Sequence, residues 1–102
     1  MKAAVLGYGV VGYGVHEMLK NAPGLEAGPV LVRPGKADAP FKRSSIEDIV
    51  NDETVDIVAE VMGGIEPAFS YVKKAILAGK HVVTSNKALV AAHGIELSQL
   101  AR

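Results

Sequence analysis

Gly7, Gly9 and Gly12 stand at the spacing G-x-G-x-x-G directly after the apolar run Ala3-Ala4-Val5-Leu6, and they open a segment, Val10 to Lys20, whose pattern is helical. In that context each glycine has a task. The first permits a tight strand-to-helix turn, the second lets backbone approach a pyrophosphate, and the third lets helix and strand pack closely. The phosphates would meet free backbone N–H groups at the positive end of the helix. The pattern therefore reads as a dinucleotide-binding turn, with a purely structural glycine turn as the plainer alternative. Gly14 would give further room for helix packing.

Lys87 is the second position with chemistry. It follows Ser85-Asn86, after the apolar run Lys80 to Thr84, and opens a helical segment. A cation there is electrostatically misplaced, because the helix dipole and its free N–H groups favour negative charge. A cofactor phosphate or a polarised substrate oxygen would offset it; so would simple exposure to solvent. Met62-Gly63-Gly64 ends another apolar run, either as an ordinary strand-ending turn or as backbone brought near a nicotinamide ribose. Glu60, just before it, would either touch a ligand or be satisfied in burial at the strand end.

Arg33 closes the second apolar run, where NAD-preferring proteins carry an acid for the ribose 2′-hydroxyl. Arg33, with Lys36 nearby, is suited instead to a 2′-phosphate, which makes NADP the more natural cofactor and leaves NAD possible. Its alternative role is that of a solvated surface residue. His16 is expected on the outward face of the first helix, His81 at the start of a strand, and His93 as a cap before a helix-breaking Gly94. Without HxH or HExxH spacing, and with no cysteine in the chain, no metal site is expected. No serine has a nucleophile-elbow context.

The elements that must position these groups alternate between apolar runs and helical patterns, the mark of an α/β domain with a mainly parallel sheet and helices on both faces. In the first helix Val11, Val15, Met18 and Leu19 form the expected buried stripe. Gly28-Pro29 leads into a strand over Val30 to Arg33, and Pro34 to Pro40 is too rich in Pro and Gly for a helix. Phe41 to Arg43 suits a short edge strand. Ser44 or Ser45 caps a short helix through Val50, with Glu47 or Asp48 in the capping-box position. Thr54 to Val61 is the best internal strand. Pro67 starts a helix to about Ala78 with Phe69, Val72 and Ile76 inward. The chain stops where an open sheet of this kind would need another strand.

Composition sets the outer limits. At 102 residues the chain is one small domain, short for a complete dinucleotide enzyme. Eleven Lys and Arg balance eleven Asp and Glu, which gives no electrostatic footprint for nucleic acid. No apolar stretch reaches the roughly 20 residues of a membrane span, and a cytoplasmic location is expected.

Three blocks together resemble one family: Gly7-Tyr8-Gly9-Val10-Val11-Gly12-Tyr13-Gly14, Asp56 through Met62-Gly63-Gly64 to Ala68, and Val82-Val83-Thr84-Ser85-Asn86-Lys87-Ala88-Leu89-Val90. Nearly the whole chain is similar to homoserine dehydrogenase. The resemblance implies a Rossmann-type doubly wound fold, with residues 1–102 as the NAD(P)-binding domain and a dimerisation and catalytic domain beyond them. It implies reversible hydride transfer between a nicotinamide cofactor and homoserine or aspartate semialdehyde, in threonine and methionine biosynthesis, by a homodimeric parent enzyme. By the same resemblance Tyr8, Val10 and Val11 line the cofactor diphosphate and ribose, with Gly7, Gly9, Gly12, Met62, Gly63, Gly64, Ser85 and Asn86 also on the cofactor, and Arg33 faces the 2′-phosphate. Lys87 polarises the substrate carbonyl or moves its proton, helped if desolvation lowers its pKa. The family's substrate-binding acids, second catalytic lysine and sodium-binding loop have no counterpart in this sequence, so the chain alone is not expected to complete the reaction. A non-catalytic dinucleotide sensor, or another oxidoreductase such as dihydrodipicolinate reductase or a sugar dehydrogenase, is the competing reading; the first has no need of Lys87, and the others are expected to lack Glu60-Val61-Met62-Gly63-Gly64.

Overall fold

The structure, a computed structural model, describes residues 1–7, 10–32, 42–43 and 45–101, and of 10, 11, 42 and 43 the backbone alone. Its strands are β1 (Lys2–Leu6), β2 (Glu26–Leu31), β3 (Lys42–Arg43), β4 (Val55–Glu60) and β5 (His81–Thr84). They form one sheet in the order β3-β2-β1-β4-β5, every pair parallel. The helices are α1 (Val10–Asn21), α2 (Ile46–Val50), α3 (Ala68–Leu77) and α4 (Lys87–Leu100). This is the parallel α/β sheet expected from the alternating pattern, in the doubly wound, Rossmann-type arrangement that the resemblance implied.

Alternation along the strands builds two apolar layers. Ala4, Leu6, Leu31 and Val58 face one side, where Ile46 and Ile49 of α2 and Ala75 of α3 close over them. Val5, Val30 and Val32 face the other, beneath Val15 and Leu19 of α1. A third cluster joins α3 to α4 through Ala68, Val72, Leu89 and Leu97. Ser45 caps α2 by accepting the N–H of Glu47 at 3.1 Å.

Four expectations need correction. The inward face of α1 is Gly12, Val15, His16 and Leu19: His16 is fully buried, and Met18 is 74% exposed. The phase is set by Gly12. A Cβ there would lie against the carbonyl oxygen of Gly7 and 2.9 Å from its carbon, so position 12 must face the strand, and 15, 16 and 19 follow by helical spacing. Gly14, by contrast, has open space around its Cβ position and is not a packing glycine.

Second, Gly28-Pro29 lies inside β2. Ala3 pairs with Ala27 but Val5 with Val30, so two residues oppose Ala4 in a bulge. A Cβ on Gly28 would meet Ala3 O at 2.9 Å, and Pro29, which has no N–H to lend, sits where the ladder is interrupted. Third, Gly94 does not break α4, which runs unbroken through it and carries His93 within it. Glycine in a helix costs about 1 kcal/mol, less than the burial of Leu89 and Leu97 on either side returns; His93, expected to cap, instead stacks on Phe69 with ring centroids 3.8 Å apart. Fourth, the core of α3 is Ala68, Val72 and Ala75, with Phe69 and Ile76 half-buried beside it.

The turn before β4 is tied down from two directions. Lys80 Nζ donates to the carbonyls of Asp52 and Val55, both at 2.7 Å. The hydroxyl and amide of Thr54 donate to Asp52 Oδ1 at 2.6 and 2.9 Å. Those Thr54 bonds, with attraction from Lys2 and Lys80, hold the Asp52 carboxyl below its ordinary value.

Two predictions follow from this packing. Gly12→Ala should cost about 2 kcal/mol or more, the scale of overpacking, and lower the melting temperature by about 8 °C or more; Gly14→Ala should leave it unchanged or higher, and equal effects of the two would refute the packing role. For Asp52, a depressed folded-state pKa means stabilisation present at neutral pH and lost as pH falls through that value. The deficit of Asp52→Asn in thermal denaturation at pH 7 should therefore shrink below about pH 4; a deficit constant with pH would contradict it.

Candidate functional site

From β1 the chain moves outward to β2 on one side, while from β4 it moves outward to β5 on the other. The order reverses between β1 and β4, and ligands of open parallel sheets bind in the crevice outside the carboxyl ends at that point. Gly7 stands there with φ +100°. Its N–H donates to Leu31 O at 3.0 Å, and Val61 N–H donates to Leu6 O at 3.1 Å, so the ends of β2, β1 and β4 are joined. A Cβ on Gly7 would fall 3.3 Å from both Cα and Cγ of Met62. The first glycine thus supplies both the backbone conformation and the clearance.

The residues present fit a dinucleotide diphosphate. Gly12 brings α1 close to the end of β1, and the first turn of α1 contains no acid that would repel a bound anion. In α2, by contrast, Glu47 and Asp48 occupy the first turn. Tyr8, Gly9, Arg33 and Lys36 lie outside the described residues, as do the side chains of Val10 and Val11.

The other half of the site is held by buried hydrogen bonds. Glu60, fully buried at the end of β4, accepts from the N–H of Met62 at 2.8 Å, the hydroxyl of Thr84 at 2.5 Å and the amide of Asn86 at 3.3 Å. Glu60 and Thr84 are partners in register across β4 and β5. Asn86 caps α4, its Oδ1 accepting the N–H of Leu89 at 3.1 Å, while its Nδ2 also donates to Gly64 O at 2.5 Å. The hydroxyl oxygen of Thr84 accepts the backbone N–H of Asn86 at 3.0 Å.

Of the two roles open to Glu60, satisfied burial is the one observed. Asn86, expected on the cofactor, has the polar atoms of its side chain engaged within the chain. Gly63 and Gly64 turn at φ +78° and +75°, exposed and with open space where a Cβ would lie. Lys87 is the first residue of α4 and is exposed, as is Ser85. This chain alone therefore does not desolvate Lys87. The linking role of Thr84 was not anticipated; its signal was a hydroxyl at the end of a strand, in register with an acid that must be buried.

Among the described residues no helix is long and apolar enough to cross a membrane.

A family model described as homoserine dehydrogenase, NAD binding domain, matches residues 7–102. The homoserine dehydrogenase of Lactococcus lactis is 39% identical over 96% of this chain, and that of Helicobacter pylori 35% identical over all of it; each alignment takes in 27% of the relative. The chain thus spans about a quarter of the length of these curated relatives. Among solved structures, a homoserine dehydrogenase from Thiobacillus denitrificans superposes with a TM-score of 0.87 at 36% identity, covering 99% of this chain and 27% of that one. A biliverdin reductase from Synechocystis, at 23% identity and a TM-score of 0.83 over 99% of this chain and 34% of its own, shares the fold alone. With the Glu60 to Gly64 and Thr84 to Lys87 blocks forming one bonded cluster, and the family model running from the first glycine of the turn to the last residue, this chain belongs to the homoserine dehydrogenase family and corresponds to its NAD-binding domain.

Proposed function

We propose that this chain is the dinucleotide-binding part of a cytoplasmic, homodimeric homoserine dehydrogenase whose substrate-binding groups are supplied by a further domain. The cofactor, when bound, is the hydride donor or acceptor in the interconversion of aspartate semialdehyde and homoserine. The observation that carries the reading is the acid-free start of α1, brought by Gly7 and Gly12 to the edge where β1 and β4 diverge, with Lys87 opening α4 at the carboxyl end of β5 in the same sheet.

Each residue then has a stated task. The free N–H groups at the start of α1 hold the diphosphate, with Gly7 and Gly12 giving the approach and Tyr8, Gly9, Val10 and Val11 lining it. The Met62-Gly63-Gly64 turn and Ser85 present backbone to the nicotinamide side. Lys87 stabilises negative charge developing on the carbonyl oxygen of the semialdehyde and donates a proton to it as homoserine forms, and it takes that proton back when homoserine is oxidised. Orientation of the substrate and exclusion of water fall to the further domain, so this chain alone does not turn over homoserine.

NADP is the preferred cofactor in this reading, because Arg33 offers charge-assisted hydrogen bonds to a 2′-phosphate where an acid would repel it. Calorimetric titration should give NADPH an advantage over NADH of about tenfold or more, the worth of one such contact, and Arg33→Ala should abolish most of it. Equal affinities in the wild type, or a preference untouched by the substitution, would defeat the assignment.

In the full-length enzyme, Lys87→Ala should lower kcat by about a hundredfold or more, the scale of general acid–base effects, while NADPH affinity falls much less. Steady-state kinetics with direct cofactor titration reads both quantities. The opposite order, affinity lost and the saturated rate kept, would make Lys87 a cofactor ligand only.

A further inference from the structure

We infer that Glu60 is the positioning residue of this site, fixing through Asn86 the start of the helix that carries Lys87 and the Gly63-Gly64 turn beside it. The inference rests on the reading of Lys87 given above. Its ground is the way the side chains of Glu60, Thr84 and Asn86 are used. A buried carboxylate is costly unless its oxygens are met by donors. Here the donors come from three separate places: the chain leaving β4 (Met62), the end of β5 (Thr84) and the cap of α4 (Asn86).

Asn86 shows the same economy. Capping α4 needs only its Oδ1, and serine or aspartate would cap as well. The amide nitrogen is used for something else: one bond to Gly64 O and one to Glu60. Glu60 therefore holds Asn86 twice, directly and through the Thr84 hydroxyl that accepts the Asn86 N–H. The backbone of Lys87 is thereby set against the glycine turn while its side chain stays exposed. Catalytic groups need placement to within about half an ångström, and a misplacement of about 1 Å can cost a hundredfold in rate.

The test uses Glu60→Met, of similar length but without an acceptor, and Glu60→Gln, whose oxygen can still receive Met62 and Asn86. In the full-length enzyme Glu60→Met should lower kcat about thirtyfold with the cofactor KM changed less than about threefold, and Glu60→Gln should recover most of the rate. Asn86→Ser, which keeps a cap for Leu89 but loses both amide bonds, should reproduce the loss and serves if Glu60→Met fails to fold. Independently of catalysis, amide hydrogen exchange in the chain should quicken about tenfold or more in Glu60→Met at Met62, which loses its acceptor, and at Leu89, whose cap loses its hold, with β1 unaffected. Folded variants with wild-type kcat, or with exchange at both amides unmoved, would overturn the proposal. A wild-type enzyme inactive on homoserine, with the exchange response intact, would instead overturn the reading of Lys87 and support the link.

Discussion

The contact of α1 with the turn after β1 is the constraint on which the rest of this domain depends. A helix axis can come this close to a strand end only where no side chain intervenes, and Gly12 facing the Gly7 carbonyl is that place. Once position 12 faces inward, helical geometry fixes what else does, and the layer of Val5, Val30 and Val32 is filled by Val15 and Leu19. The same contact puts the first turn of α1 at the edge where β1 and β4 diverge. Packing and ligand geometry are here one requirement, because the absence of one Cβ serves both.

The other half of the edge is made by different physics. At the ends of β4 and β5 the fixing is done by side chains: a buried acid gathers donors from three segments, and the fixed object is again a helix start. A close-packed contact resists compression but constrains orientation only through its neighbours. Hydrogen bonds to a shared acceptor constrain direction as well. That suits α4, whose first residue carries the side chain proposed above to meet the substrate.

The sequence made the succession of strands and helices along the chain legible because each apolar run is separated by a glycine turn or a cap with a clear chemical reason, such as Ser45 or Asn86. It misled wherever one residue type had two uses. Met18 is the larger hydrophobe and was expected inside, but the helix phase is decided by the residue that is missing a side chain, which no measure of hydrophobicity registers. Gly94 had the look of a terminator, yet tertiary burial on both sides outweighed local propensity. At the site the motif residues were legible one by one. Their connection was not, since the Glu60–Thr84 pairing depends on strand register, and register is a property of two strands together.

Register also gives the bulge in β2 a meaning beyond local accommodation. Because Gly28 and Pro29 together stand against Ala4, the strand carries one residue more than its neighbour, and Val30 and Leu31 face the layers of Val5 and Leu6 respectively. The bulge absorbs that extra residue and so preserves the parity of the strand. Run the same residues in a regular ladder from Ala27 and everything after position 29 would be inverted: Val30 would stand against Leu6, in the layer beneath α2, and Leu31 would pass to the layer beneath α1. Length is therefore forgiving inside the bulge and unforgiving beyond it: loss of one of the two residues opposite Ala4 would restore a regular ladder with Val30 and Leu31 on the faces they now hold, whereas a one-residue loss later in β2 would exchange the contents of the two faces.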